Sequence, residues 1–251
     1  MNPQTLEFSQ VSFGFDDWPH VLLNASWHVP AGEFHCLLGR SGCGKTTLLK
    51  LAAGLLTPQS GQVLWHGELV LQPMPDVGFV FQTPTLLHWL SVLDNVLLPI
   101  KLHRACTPQE QQRALDVLSQ MGLAAMLHQR PSQLSGGQQS RVAIARALMT
   151  EPALLLMDEP FAALDALTRE DLQTELRQWV KRLGTSVVFV THDISEAVFL
   201  ADHVAVMNQG CIAQDVQIQA PLRDKSWRYS PAFVQHCAAL RDALDDVSML
   251  A

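Results

Sequence analysis

Ten consecutive residues, Leu38-Gly39-Arg40-Ser41-Gly42-Cys43-Gly44-Lys45-Thr46-Thr47, constrain this chain more than any other stretch. Glycines at that spacing leave backbone N–H groups free to close around an anion. The apolar run Phe34 to Leu38 before them reads as a short buried strand, and Thr47 to Gly54 after them reads as a helix. The pattern G-x-x-x-x-G-K-T thus has the strand-loop-helix setting of a phosphate-binding loop. In that setting the amides and the positive end of the helix face the same phosphate, Lys45 reaches the outer phosphates, and Thr46 offers an oxygen to Mg²⁺. A simple glycine-rich turn is the alternative, and the flanking strand and helix weigh against it.

With 251 residues and 48% apolar content, the chain can bury a full core, and its size suggests one large α/β domain with a smaller inserted lobe. The five cysteines, Cys36, Cys43, Cys106, Cys211 and Cys237, are scattered and form no C-x-x-C pair. Neither a disulfide framework nor a zinc site is indicated, and a reducing compartment is expected. No basic, apolar leader opens the sequence, and no apolar run approaches the roughly 18 residues that span a bilayer. The expectation is a chain soluble by itself, held at any membrane by another protein. A formal charge of −7 argues against a nonspecific grip on nucleic acid or anionic lipid.

Residues 4–30 contain two alternating stretches, Leu6 to Phe15 and Val21 to Val29, separated by Asp16-Asp17-Trp18-Pro19; this predicts antiparallel β structure feeding the phosphate-loop strand. Phe15 and Trp18 are both candidates to stack on a nucleobase, with core burial the competing reading for Phe15. Gly61 to Leu71 resumes strand-like alternation, and Val77 to Phe81 is a further apolar strand ending at Gln82. From Thr83 to Arg130 the pattern turns helical, with Leu93 to Leu102, Pro108 to Met121 and Leu123 to His128 as segments. Within it, Leu86-Leu87-His88-Trp89-Leu90-Ser91-Val92 is rich in large apolar side chains beside Gln82, readable either as a contact surface for another subunit or as buried lobe.

A second anion-facing feature follows at Leu134-Ser135-Gly136-Gly137-Gln138, where Ser135 is suited to N-cap the helix Gln139 to Thr150 and the two glycines permit close approach. The continuous apolar run Ala153 to Met157 reads as a central parallel strand that ends in Asp158-Glu159-Pro160. Asp158 suits a Mg²⁺ shell, and Glu159 is placed to polarise an attacking water. Leu164-Asp165 leads into the helix Thr168 to Leu183. Ser186 to Val190 reads as another buried strand with His192 just beyond its carboxyl end, where α/β folds place ligands. Val204 to Met207 and Cys211 to Ile218 flank the hairpin signal Asn208-Gln209-Gly210, and a short tail lies beyond Pro221.

Taken in order, the phosphate loop, Gln82, Leu134 to Gln138, Asp158-Glu159, Ala162-Ala163-Leu164-Asp165 and His192 resemble the ATP-binding subunit of ABC transporters, from Val11 to Asp215. The resemblance implies an α/β P-loop NTPase core with a mixed, mainly parallel sheet, an N-terminal antiparallel β subdomain and an inserted α-helical subdomain. The corresponding division is an ATPase domain over residues 1–220, with the helical insertion at 83–135, and a tail at 221–251. It also implies ATP and Mg²⁺ as ligands, with Gly39, Arg40, Ser41, Gly42, Cys43, Gly44, Lys45, Thr46 and Thr47 around the phosphates and Phe15 on the adenine. Phe15 stands where tyrosine is usual. Thr46, Gln82 and Asp158 are carried over as the Mg²⁺ residues, Glu159 as general base, and His192 and Lys45 as catalytic contacts to the γ-phosphate. By the same resemblance two copies clamp two ATP molecules head to tail, Ser135, Gly136, Gly137 and Gln138 of one copy closing the pocket of the other. Ser140 departs from the usual glutamine or basic residue.

The stretch Leu86 to Val96, residues 157–169 and Ser230-Pro231-Ala232-Phe233 look like the nitrate, sulfonate and taurine importer branch, which also carries pyrimidine precursors. That branch implies a peripheral subunit on the cytoplasmic face of a bacterial inner membrane. It is bound there to a polytopic permease that an extracytoplasmic solute-binding protein serves. A soluble ABC ATPase of ribosomes or DNA is a rival reading, and it lacks support from paired cassettes or basic extensions. A P-loop kinase is another, and it leaves Leu134 to Gln138 unexplained. Cys43, near a helix N-terminus, is expected to have a depressed thiol pKa and to be alkylated unless ATP protects it; a small residue merely tolerated in the loop is the alternative.

Overall fold

The computed structural model describes residues 5–162, 164–220 and 223–249. Ala163 of the Ala162 to Asp165 motif and Pro221 at the expected tail boundary lie outside the described residues. In chain order the elements are β1 (Leu6–Phe15), β2 (Trp18–Val29), β3 (Phe34–Leu38), α1 (Lys45–Ala52), β4 (Ser60–Trp65), β5 (Glu68–Leu69), β6 (Val77–Val80), α2 (Val92–Lys101), α3 (Pro108–Gln120), α4 (Gly136–Leu148), β7 (Leu154–Asp158), α5 (Ala166–Leu183), β8 (Ser186–Thr191), α6 (Ile194–Leu200), β9 (His203–Asn208), β10 (Cys211–Gln217) and α7 (Pro231–Met249). They divide into two compact units, Met1–Met74 with Gln173–Ala251, and Pro75–Leu172.

In the first unit, an antiparallel sheet runs in the order β2-β1-β4-β5, and the alternation of β1 buries Leu6, Phe8, Val11 and Phe13. A second group of strands centres on β3, which pairs in parallel with β8 on one side and β9 on the other, while β10 returns antiparallel along β9. Every residue of β3 and of β8 is buried, which is why both read as unbroken apolar runs. The β9–β10 turn places Gln209 and Gly210 at φ 44° and 78°, the two left-handed residues that a tight hairpin demands. Residues 231–249, expected as tail, form the 19-residue helix α7, which buries Phe233, Leu240 and Ala243 at helical spacing.

In the second unit β6 and β7 lie parallel, with Val77 opposite Leu154 and Val80 opposite Met157. Helices α2, α3 and α4 pack in the same unit, burying Val92, Val96, Ala114, Leu118, Val142 and Ile144.

Several boundaries differ from the sequence expectation for identifiable reasons. The turn between β1 and β2 is only Asp16-Asp17, because Trp18 already pairs with Phe15. Helix α1 starts at Lys45, two residues early, since Gly44 at φ 105° supplies its left-handed N-cap. The expected helix Leu123 to His128 shrinks to a 3₁₀ turn at Ala124–Met126. The carbonyl oxygens of Leu127 and Gln129 instead accept the first amides of α2, from Leu93 (3.0 Å) and Val92 (2.9 Å), so they are spent outside a local helix.

Asn95 is fully buried on α2 and ties down the loop that precedes it. Its Oδ1 accepts from the Leu87 amide at 2.9 Å, and its Nδ2 lies within hydrogen-bond distance of the carbonyls of Leu87 (3.1 Å), Leu90 (3.3 Å) and Ser91 (3.0 Å). The loop so held buries Leu86 and exposes His88 and Trp89, the latter at 68%. Leu86-Leu87-His88-Trp89-Leu90 is therefore part core and part surface, dividing the two readings between its residues. Removing the amide strands buried polar groups on both sides. Asn95→Ala is expected to lower unfolding free energy by about 2–4 kcal/mol, measured by urea denaturation, whereas a loss under about 0.5 kcal/mol would show that the loop does not depend on it.

Candidate nucleotide site

The phosphate loop leaves the carboxyl end of β3 and closes on the N-terminus of α1. Lys45 is 5% exposed, and its Nζ donates to the carbonyl oxygens of Gly39 and Arg40, each at 2.9 Å, so the ammonium is folded back under the loop. Gly44 is packed so tightly that a Cβ would lie 2.8 Å from the Val21 carbonyl oxygen and 2.9 Å from the Leu22 side chain. Its φ of 105° is also one that side chains rarely adopt. The first amides of α1, where a helix start is suited to receive an anion, are those of Lys45, Thr46 and Thr47, directly at the end of this loop.

Strand register sets the neighbours of this loop. In the β3–β8 pairing Leu38 stands opposite Thr191, so Gly39 and His192 emerge side by side at the same sheet edge. His192 is exposed, and the turn carrying it is locked on both sides. The Asp193 amide donates to Thr191 Oγ1 at 3.0 Å, and the Asp193 carboxylate caps α6 by accepting from the amides of Ser195 (2.8 Å) and Glu196 (3.1 Å). Below it Thr191 Oγ1 donates to Glu196 Oε2 at 2.5 Å, and Gln173 donates to the other Glu196 oxygen at 2.9 Å. Phe15 is 47% exposed at the end of β1 and meets Phe13 edge-on at 5.0 Å; Trp18, opposite it on β2, is 72% exposed. Core burial is thereby overturned for Phe15, and both rings present a free face.

The other residues lie in the second unit. Val80 pairs with Met157, so Gln82 and Glu159 each follow two residues later at one edge of the β6–β7 pair. Asp158 is the last residue of β7 and is 5% exposed. Glu159 turns sharply at φ 42°, a left-handed conformation that costs a non-glycine residue of order 1 kcal/mol. Gln82 is exposed.

Ser135 caps α4 through a reciprocal pair: its Oγ accepts from the Gln138 amide at 3.3 Å, and Gln138 Oε1 accepts from the Ser135 amide at 2.9 Å. The sequence shows the N-cap, and the structure adds the return bond from Gln138. Gly137 approaches Leu164, where a Cβ would come within 3.1 Å of its side chain. Asp165 caps α5 by accepting from the Thr168 amide at 3.0 Å, and that backbone bond holds its carboxyl below the usual range. A hollow of about 510 Å³ opens here between Ser135, Gly137, Gln138, Arg141, Asp165 and Thr168. Sequence reasoning did not single out Arg141; its guanidinium donates to the Met121 carbonyl at 2.7 Å and joins α4 to the end of α3. The available signal was a basic residue at the sixth position of a capped, glycine-led helix.

A family model described as ABC transporter matches residues 22–162. A nitrate import ATP-binding protein of Synechococcus elongatus is 46% identical over 195 residues, covering 76% of this chain and 71% of that protein. An aliphatic sulfonates import ATP-binding protein of Pseudomonas entomophila is 43% identical over 201 residues, 80% of this chain and 72% of that protein. Among solved structures, the dimeric post-hydrolysis state of the ATP-binding cassette MJ0796 bound to ADP and Pi superposes with a TM-score of 0.78 at 32% identity, covering 86% of this chain and 99% of that one.

Cys43 corrects an expectation. Its side chain faces inward and is 9% exposed, with Sγ 4.0 Å from the Lys45 ammonium. Burial pushes the thiol above its ordinary range, and the nearby Lys45 charge only partly opposes that. The backbone amides of Lys45 and Cys43 also favour the thiolate, but the loss of solvent outweighs them, so the lowering expected of a helix N-terminus does not prevail. With little thiolate near neutrality, Cys43 is expected to react with N-ethylmaleimide more slowly than the half-buried Cys106, by about tenfold or more at pH 7. Its rate should climb only as pH rises past the ordinary thiol range. Peptide mapping by mass spectrometry checks this, and equal rates at pH 7 would restore the activated thiol.

Proposed function

Because the chain belongs to the ABC transporter family, whose ATP-binding subunits are ATPases, we propose that it energises an importer by closing two copies of itself over two ATP molecules on a membrane permease. The observation that carries this reading is the presence of two separate glycine-led helix tips, α1 and α4, on one chain. A single nucleotide held by the first leaves the second without a purpose, and a head-to-tail pair gives it one. The ADP-bound dimer of the cassette MJ0796 supports the pairing.

In this proposal the loop Gly39 to Thr47 grips the phosphates, Lys45 balances their charge, and Phe15 stacks on the adenine, with Trp18 on the same hairpin as its rival. Ser135, Gly136, Gly137 and Gln138 of the second copy bring the amides of α4 to the far side of the γ-phosphate. Thr46, Gln82 and Asp158 supply hydroxyl, amide and carboxylate oxygens, a hard-donor set suited to Mg²⁺, which when bound neutralises charge on the β- and γ-phosphates. Glu159 accepts the proton of the attacking water, and the turn at positive φ aims its carboxylate. His192, exposed in its locked turn, contacts the γ-phosphate and thereby reports whether it is present. Phosphoryl transfer asks little covalent chemistry of a protein, so positioning and charge carry the rate.

Work comes from affinity. The pair binds ATP better closed than open, and only that difference is available to move an attached partner. Trp89 and His88, displayed by the loop that Asn95 holds, are the residues we assign to the permease contact. The transported molecule is a small solute of the nitrate, sulfonate or taurine kind, or a pyrimidine precursor. Other subunits touch it, the permease and an extracytoplasmic solute-binding protein among them. The subunit sits on the cytoplasmic face of a bacterial inner membrane; no helix among the described residues is long and apolar enough to cross one.

Glu159→Gln tests both halves of the reading. It is expected to keep ATP affinity, to lose at least about a hundredfold in turnover, and to accumulate with ATP as a dimer that co-purifies with a polytopic membrane protein. Near-normal turnover contradicts the general base, and an ATP-loaded dimer that captures no membrane protein contradicts the transport role.

A further inference from the structure

Away from the nucleotide loop, the first unit contains a cavity of about 310 Å³ walled by Phe34, Arg177, Val180, Lys181, Asp202 and Arg223. Three cations and one carboxylate line it, in a chain whose formal charge is −7. Asp202 is already committed. Its Oδ2 accepts from the Phe34 amide at 3.0 Å, while its Oδ1 accepts from Arg177 Nη2 at 2.7 Å and lies 3.3 Å from Arg223 Nη2. One carboxylate thus serves two guanidinium groups, and the exposed Lys181 ammonium adds a third positive charge at the rim.

Besides Asp202, both forks are fixed by main chain. Arg177 donates to the Leu200 carbonyl, and Arg223 donates to the carbonyls of Phe199 (3.2 Å), Ala201 and Ile218 (3.1 Å). Aromatic rings hold them from the side, Phe34 at 6.0 Å from Arg177 and Trp227 at 5.4 Å from Arg223. The Arg223 side chain is only 6% exposed. Burial first, and then the neighbouring Arg177 charge, pull its pKa down to about 10, as expected of a buried cation whose countercharge is shared. With its terminal N–H groups so committed, Arg223 offers a fixed positive charge, and Arg177 beside it makes fewer bonds; guanidinium charge held in place suits a carboxylate or sulfonate. Phe34 and Val180 supply apolar wall, and the volume, at the lower end of the roughly 300–1,000 Å³ of ligand pockets, exceeds what a bare oxyanion fills.

We infer that this cavity binds a small organic anion, its carboxylate or sulfonate head between Arg177, Arg223 and Lys181 and its short apolar body against Phe34 and Val180. The site is separate from the ATP loop yet touches the strand that leads into it, since Phe34 opens β3 and its amide is tied to Asp202. It also stands independently of the transport reading.

Butanesulfonate is a suitable probe, titrated calorimetrically into the full chain saturated with MgADP so that the phosphate loop is filled. The expected result is saturable one-site binding, with inorganic sulfate and butanol each at least about tenfold weaker. Lys181→Glu, at an exposed position, should weaken binding by about tenfold without changing the melting temperature, and Lys181→Arg should retain it. No saturable binding, or equal affinity in Lys181→Glu, overturns the site. Sulfate binding as tightly as butanesulfonate overturns the organic ligand, and butanol doing so overturns the anionic one.

Discussion

The ammonium of Lys45, buried under its own loop and held by the carbonyl oxygens of Gly39 and Arg40, is the interaction on which the rest of this structure depends. A buried cation is costly, and carbonyl dipoles offset only part of that cost. In the site we propose, a phosphate at the loop would gain from a charge already in place, with little reorganisation of the protein. The loop keeps this shape because Gly44 fits against Val21 and Leu22 where no side chain would, and because β3 is pinned by parallel partners on both sides.

From that anchor, sheet register carries the site outward. Parallel strands release their chains at one edge, so the pairing of Leu38 with Thr191 brings His192 beside the loop without any contact specific to function. The same logic in the second unit sets Gln82 level with Glu159 through the pairing of Val80 with Met157. Helix caps then finish the arrangement. Ser135 with Gln138, Asp165 with Thr168, and Asp193 with Ser195 and Glu196 each fix a loop that carries a candidate residue. Each such cap contributes on the order of 1 kcal/mol, and here it sets position as much as stability.

Much of this was legible in the sequence, because the signals are local. Continuous apolar runs marked β3, β7 and β8, the Gln209-Gly210 turn followed from the need for positive φ, and Ser135 stood out as a cap before a glycine pair. What escaped depends on partners far along the chain. Asn95 occupies a core position between Val92 and Val96, where sequence alone shows only a polar residue on an apolar stripe. The direction in which Cys43 points is a rotamer, invisible to spacing, and it reverses the sign of the pKa shift. The pairing of Asp202 with Arg177 and Arg223 joins residues from the entry to β9, α5 and the segment after β10, which no motif connects. One boundary moved because backbone groups are satisfied by distant partners, as when the Leu127 carbonyl accepts from the Leu93 amide of α2 instead of continuing a helix.

The central claim is that each nucleotide is enclosed by the lysine loop of one copy and the serine-led helix tip of another. Complementation measures it directly. Lys45→Ala and Ser135→Arg homodimers each damage both pockets and should be inactive, while a mixture of the two contains dimers with one intact pocket and one doubly damaged. The account predicts that mixing restores ATPase activity in proportion to the mixed dimer formed. If mixing restores nothing, or if a single copy that never pairs hydrolyses ATP at the full rate, the shared pocket is wrong.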